Sequence, residues 1–249
     1  MNLRKAPHKA AVITGGGHRL GRIFSAALAK RGYSILLHYN QSEAPARQTA
    51  QTLEEAGVRV GLVKADLTCD EDIAKLFKEI DKFLLEKDAT LQVLVNSAAI
   101  MGKTPLKDVS MKEWDHIMDL NARAPFFLAV NSAKRMIEDG VIINISDVAS
   151  RKLWVNYPVY IASKSTLEVL TRLLAKDLAP SVRVNALAPG LVIPQHGLSR
   201  SEWKKLVSRL PLRKAVTESE LGDAFLFLID NKSMTGHTLV LDGGYSLVA

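Results

Sequence analysis

Tyr160 and Lys164 stand four residues apart in Tyr160-Ile161-Ala162-Ser163-Lys164, inside a stretch patterned as a helix. That spacing puts phenol and ammonium on one helical face. A nearby ammonium lowers a tyrosine's pKa from about 10 and lets it act as general acid or base. Asp147 lies thirteen residues upstream, in Asn144-Ile145-Ser146-Asp147, at the end of an apolar run. Ser146 is adjacent, and at a strand end neighbouring side chains point to opposite faces. A carboxylate, a phenol and an ammonium brought together can move a proton on a small-molecule substrate.

A second segment is patterned for phosphate. Thr14-Gly15-Gly16-Gly17-His18-Arg19-Leu20-Gly21 joins the apolar run Ala10–Thr14 to a helical pattern. Glycines let the backbone approach a pyrophosphate, and a helix N-terminus supplies free N–H groups and a favourable dipole. The strict G-x-G-x-x-G spacing fails, because Leu20 stands where its last glycine belongs. NAD-specific sites hold the ribose 2′-hydroxyl with an acid about twenty residues further on. Here that stretch reads His38-Tyr39-Asn40-Gln41-Ser42, with no acid until Glu43. A carboxylate would repel a 2′-phosphate; its absence, with Arg19 and Ser42 as donors, favours NADP(H). Asp66 and Leu67, after a third apolar run, suit an adenine pocket.

The elements that must carry these residues alternate along the chain. Short runs rich in Val, Ile and Leu occupy Ala10–Thr14, Ser34–Tyr39, Val58–Val63, Leu91–Val95, Val141–Ile145, Val182–Ala188 and Thr238–Leu241. They lack a polar face, as strands buried on both sides do. Helical patterns fill the intervals: Ile23–Arg31, Ala46–Ala56, Ile73–Glu86 capped by Asp70, a long helix from Ser110 to Met136, Tyr157–Leu178, and Leu221–Ile229. Capping boxes start at Ser110, Ser199 and Thr217. The expected fold is α/β: one doubly wound parallel sheet, helices on both faces, in a single domain over 1–249. Ligands of such sheets bind beyond the carboxyl ends of the strands, and the motifs fall there. Residues 191–212 are the expected substrate lid.

Composition narrows the class. The 249 residues are 47% hydrophobic and 24% charged, a globular balance. The net charge of +7 is spread without a basic run, which fits phosphate-bearing ligands and gives no sign of nucleic-acid binding. No apolar run approaches the roughly eighteen residues of a membrane span. The basic stretch Met1–Lys9 is followed by too short an apolar run for a signal peptide, so a cytoplasmic protein is expected. The single Cys69 and six scattered histidines offer no metal-ligand spacing. Trp114, Trp154 and Trp203 are read as packing residues, Trp154 also as a substrate contact.

From Ala10 to Gly244 these motifs resemble the short-chain dehydrogenase/reductase family. Gly15 and Gly21 keep its T-G-x-x-x-G-x-G spacing, with Arg19 in place of the middle glycine, and Tyr160 and Lys164 match its Y-x-x-x-K. Asn96-Ser97-Ala98-Ala99 resembles its turn after the fourth strand, without the usual glycine. The resemblance implies that Asn121 holds a water of the proton relay and that Lys164 binds the nicotinamide ribose. It implies further cofactor contacts at Asn96, Ser97, Ala98, Pro189 and Gly190, and a homotetramer built on the two long helices. The family's usual serine is replaced by Asp147. Arg19, Leu37-His38-Tyr39 and the Asp147, Tyr160, Lys164 set are similar to the pteridine reductases, NADPH-dependent members acting on dihydropterins or folates. Met101 stands where those enzymes commonly stack an aromatic ring on the pterin, and Gln41 where a basic residue often meets the 2′-phosphate. The expected substrate contacts are Arg19, Met101, Asp147, Trp154 and Tyr160. The alternatives are a 3-oxoacyl-carrier-protein or other carbonyl reductase, and an NADPH-sensing protein without turnover.

Overall fold

The structure, a computed structural model, describes residues 8–248; the basic stretch Met1–Pro7 lies outside them. Seven parallel strands form one sheet: β1 (His8–Thr14), β2 (Ser34–Tyr39), β3 (Val60–Lys64), β4 (Ala89–Asn96), β5 (Met136–Ile145), β6 (Val182–Pro189) and β7 (Thr238–Leu241). Their order is β3-β2-β1-β4-β5-β6-β7. The unalternating apolar runs are explained by two cores. Ala11 and Ile13 point to one face, under α1 (Arg19–Lys30), α2 (Glu43–Glu55) and α9 (Glu218–Asp230). Ala10 and Val12 point to the other, under α3 (Asp70–Glu86), α5 (Ala124–Ala133) and α7 (Pro158–Asp177). The chain reverses direction across the sheet between β1 and β4, opening a crevice at their carboxyl ends.

Most element boundaries shift by a few residues from expectation, and the following bear on the site. Cys69, in extended conformation, is the cap of α3, and Asp70 is its first residue, one of three acids in the first turn. The helix expected to run to Met136 is broken into α4 (Met111–Met118), a π-turn (Asp119–Arg123) and α5, and Met136 begins β5. Pro125 has no N–H to offer the Asn121 carbonyl, so the α-helical bond at that point is lost and the wider π-turn takes over. The remaining two helices are the short α6 (Ala149–Lys152) and α8 (Arg200–Ser208), whose capping box at Ser199 is formed. No helix among the described residues is long and apolar enough to cross a membrane.

Candidate active site

A cleft of about 750 Å³ runs along the strand ends. Its first wall is the turn between β1 and α1. Gly15 has φ +61°, and Arg19, where a glycine is more usual, has φ +48°, a left-handed conformation that costs most residues energy. A Cβ on Gly21 would stand 2.0 Å from the Gly15 carbonyl, so the turn closes only with glycine there. His18 caps α1 without a side-chain bond and no acid follows in the first turn, leaving free N–H groups for an anion. The residues present therefore fit a dinucleotide pyrophosphate.

The turn is braced from behind by His38. Its Nδ1 accepts from the Gly15 N–H at 3.3 Å, and its Nε2 lies 2.9 Å from the Ala65 carbonyl, which fixes Nε2 as the protonated nitrogen. Burial pushes its pKa down to about 4, so the ring stays neutral. Tyr39, Asn40 and Ser42 continue the wall at the end of β2, and Ser42 caps α2 without spending its hydroxyl on the helix. Glu43, the first acid, is tied to Arg47 at 2.8 Å. Asp66 and Leu67 line the far end; Asp66 accepts from the backbone and hydroxyl of Thr68, which keep its pKa low.

Ser97, Ala98 and Met101 supply the middle of the cleft. Thr14 Oγ1 accepts from the N–H groups of Ser97 and Ala98, both at 3.0 Å, which ties β1 to the turn after β4. Asn96 and Asn121 do not reach the cleft with their amides. Asn96 donates to Asn144 Oδ1 and the Pro125 carbonyl. Asn121 exchanges bonds with the Ile100 backbone in both directions and donates to Ser163. Both amides stitch the framework beneath the site.

The reactive end is built on α7. Tyr160 donates to Asp147 Oδ2 at 2.7 Å, and Asp147 Oδ1 accepts from the Ala149 N–H at 2.8 Å. Lys164 Nζ donates to the Ile145 carbonyl at 2.7 Å. All three side chains are buried deeply enough to shift. Burial, then the adjoining Asp147 carboxylate, raises the Tyr160 pKa well above 10. This corrects the expectation of a lysine-lowered phenol: Lys164 lies 5.8 Å from the ring centroid, while the carboxylate touches the hydroxyl. Burial also raises Asp147 and pushes Lys164 down to about 8. The phenol thus keeps its proton, as a donor in a reduction must. Ser146 turns away to Glu168 at 2.8 Å.

Of residues 191–212, Leu191, Val192, Ile193, Gln195, Trp203 and Leu206 are among those that line the cleft. Arg19 donates to the carbonyls of Ile193 and Pro194 at 3.1 and 3.0 Å, and Gln195 donates to Met101 Sδ at 3.1 Å. Pro189 and Gly190 lead into this segment along the cleft wall. Trp203 lines the cleft from α8, beyond the packing role read for it, whereas Trp114 is 46% exposed on α4. Trp154 packs against Tyr157 and Tyr245, with ring centroids 6.2 and 6.1 Å away, and all three line the cleft. Sequence reasoning missed Tyr157 and Tyr245. Gly243-Gly244, both at positive φ, were the signal that the chain turns back there.

A family model described as Enoyl-(Acyl carrier protein) reductase matches residues 18–246. A hydroxynaphthalene reductase-like protein of Metarhizium anisopliae is 29% identical, over 97% of this chain and 96% of its own. The 3-oxoacyl-acyl-carrier-protein reductase FabG of Staphylococcus aureus is 27% identical, over 95% and 97%. Among solved structures, FolM alternative dihydrofolate reductase 1 from Brucella suis, in complex with NADP, is 31% identical. It superposes with a TM-score of 0.90 over 98% of both chains.

Proposed function

The chain belongs to the short-chain dehydrogenase/reductase family as an NADP(H)-dependent oxidoreductase, and we propose that it reduces a dihydropterin or dihydrofolate. The carrying observation is the 2.7 Å bond from Tyr160 to Asp147. A simple carbonyl calls for neutral donors around its oxygen. A pterin offers ring N–H and amino groups, which a carboxylate can accept, and a C=N nitrogen, which a phenol can protonate. The likeness to the FolM reductase supports this reading. The 3-oxoacyl-carrier-protein reading draws support from the family model and the FabG relative, but no acid in place of the serine serves it. NADPH oxidation measured with dihydrobiopterin, dihydrofolate, an acetoacetyl thioester and a quinone separates the two; faster turnover of the thioester overturns the proposal.

Bound NADPH supplies the hydride. The free N–H groups of α1 and the turn would hold its pyrophosphate, and Lys164 would hold the nicotinamide ribose. Tyr160 gives its proton to the substrate nitrogen while Asp147 orients the ring, and the Lys164 ammonium offsets the negative charge left on the phenol. Met101, Trp154 and Arg19 border the substrate under the 191–212 lid. Phe127, Val169 and Leu173, each about half exposed on α5 and α7, supply apolar surface for a homotetramer of this cytoplasmic, single-domain enzyme.

Two expected results arise here. NADPH should bind at least tenfold more tightly than NADH. Arg19→Ala should narrow that gap, since a guanidinium–phosphate bond is worth roughly 1.5–3 kcal/mol, less what Arg19 gives up at the Ile193 and Pro194 carbonyls. Equal affinities in the parent, by fluorescence titration, would refute the NADPH preference. The second concerns pH. Below about 8, Lys164 in the free enzyme is an ammonium; above it the cation is lost, and with it the charge that favours both ribose binding and proton transfer. The profile of kcat/KM for NADPH, which reports the free enzyme, should fall above about pH 8. A flat profile to pH 10 would contradict this role.

A further inference from the structure

Glu168 is an acid that the reaction described above does not use, yet it is 8% exposed, one turn beyond Lys164 on α7. Its Oε1 accepts three bonds of 2.8 Å each, from Ser146 Oγ, Ser150 Oγ and the Arg151 guanidinium. Burying a carboxylate costs several kcal/mol unless donors compensate it, and here every donor comes from one short segment. That segment, 146–151, contains Asp147.

The segment has little stiffness of its own. It leaves β5 and enters α6, a helix of four residues, too short to hold its shape by backbone bonds alone. Asp147 must nevertheless present one oxygen to Tyr160 while the other rests on the Ala149 N–H. The twenty-residue α7 carries Tyr160, Lys164 and Glu168 together. An anchor on that helix therefore sets Asp147 in the same frame as the groups it works with.

We infer that Glu168 is the positioning residue of the acid pair: by clamping Ser146, Ser150 and Arg151 to α7, it fixes the Asp147 carboxylate against the Tyr160 hydroxyl. The inference rests on the proposed role of Asp147 in the reduction. It assigns the neighbouring serine as well. Ser146 serves the clamp, not the substrate.

A double-mutant cycle tests this, with Glu168→Ala and Glu168→Gln made in the parent and in Asp147→Ser. kcat and KM for dihydrobiopterin are measured, together with NADPH affinity. In the parent, Glu168→Ala should lower kcat about tenfold, with KM and NADPH affinity within about twofold. Glu168→Gln, which keeps an acceptor for the two serines, should restore much of the loss. In Asp147→Ser, where no carboxylate is left to orient, Glu168→Ala should cost less than about twofold, the non-additivity of residues acting through one another. Equal losses in both backgrounds, or a parent-like kcat in Glu168→Ala, overturn the inference. If Glu168→Ala does not fold, Ser150→Ala removes one arm of the clamp, and a loss of about threefold confined to the Asp147 background is expected; the same loss in both overturns it. An Asp147→Ser enzyme with parent-like dihydrobiopterin turnover refutes the role of Asp147 itself, and the inference with it. That result is read before Glu168 is changed, so the two failures are distinct.

Discussion

Tyr160→Phe should lower turnover about a thousandfold while leaving NADPH affinity within about twofold. General acids contribute roughly 10²–10⁴ in rate, and Tyr160 is the hydroxyl in the cleft held against Asp147 at 2.7 Å. The substitution removes one oxygen and leaves the ring packed against Ala149, Ile161 and Trp154. The fold loses one hydrogen bond and keeps a buried acceptor on Asp147 without its partner, a cost of about 1–3 kcal/mol. A modest fall in Tm with near-complete loss of rate is the expected pair of results. The adjacent serine cannot substitute, because Ser146 is turned to Glu168. Its pH dependence should also be informative. Since burial and Asp147 hold the phenol well above pKa 10, the parent should show no limb from tyrosine ionisation below pH 9. Activity within tenfold of the parent would show that another group supplies the proton.

What the sequence conveyed was position along the chain more than direction in space. The apolar runs ended at the strand ends or one residue short of them, because a buried parallel strand is a nearly uninterrupted stretch of Val, Ile and Leu. The glycine turn was legible because Gly21 admits no Cβ beside the Gly15 carbonyl. Tyr160 and Lys164 share a helix by their spacing, and Asp147 meets Tyr160 as the family resemblance implied. Asn96 and Asn121 show the opposite case: their place in the chain matches the motif, but their amide N–H groups go to Asn144, Pro125, Ile100 and Ser163, and the Asn121 oxygen accepts from the Ile100 N–H. Hydrogen-bond partners 21 to 48 residues away leave no mark in local pattern. The sign of the tyrosine's shift was missed for a related reason. Sequence spacing brought Lys164 to Tyr160, but the decisive neighbour was a carboxylate from another element, in a site dry enough for burial to dominate. Tyr245 was marked only indirectly, by the glycine turn at Gly243-Gly244, because β7 and that turn approach the cleft only once the sheet is assembled.

Asp147→Ser should divide the substrates. With dihydrobiopterin, kcat/KM should fall about tenfold to a hundredfold, the range set by losing a charged hydrogen bond of roughly 1.5–3 kcal/mol. With an acetoacetyl thioester it should hold or rise, because a hydroxyl donates to a carbonyl oxygen and an ionised carboxylate cannot. The geometry explains why the change need not collapse the site. Asp147 is held by the Ala149 N–H and Tyr160, and the segment around it is anchored separately to Glu168. Serine is smaller, so the phenol loses its partner and its pKa loses the upward push of the carboxylate; Lys164 then becomes the nearest charge. The pH dependence follows in sign. Burial raises Asp147 above the usual carboxylate range, so its neutral, proton-bearing form persists to higher pH than an exposed aspartate and declines as pH rises further. Pterin reduction that uses the ionised carboxylate as acceptor should therefore climb as Asp147 ionises with rising pH in the parent and lose this limb in the serine variant. The measurement is kcat/KM for both substrates in both proteins across pH. If serine improves pterin and thioester alike, the carboxylate is an impediment to an ordinary carbonyl site, and the pterin reading fails.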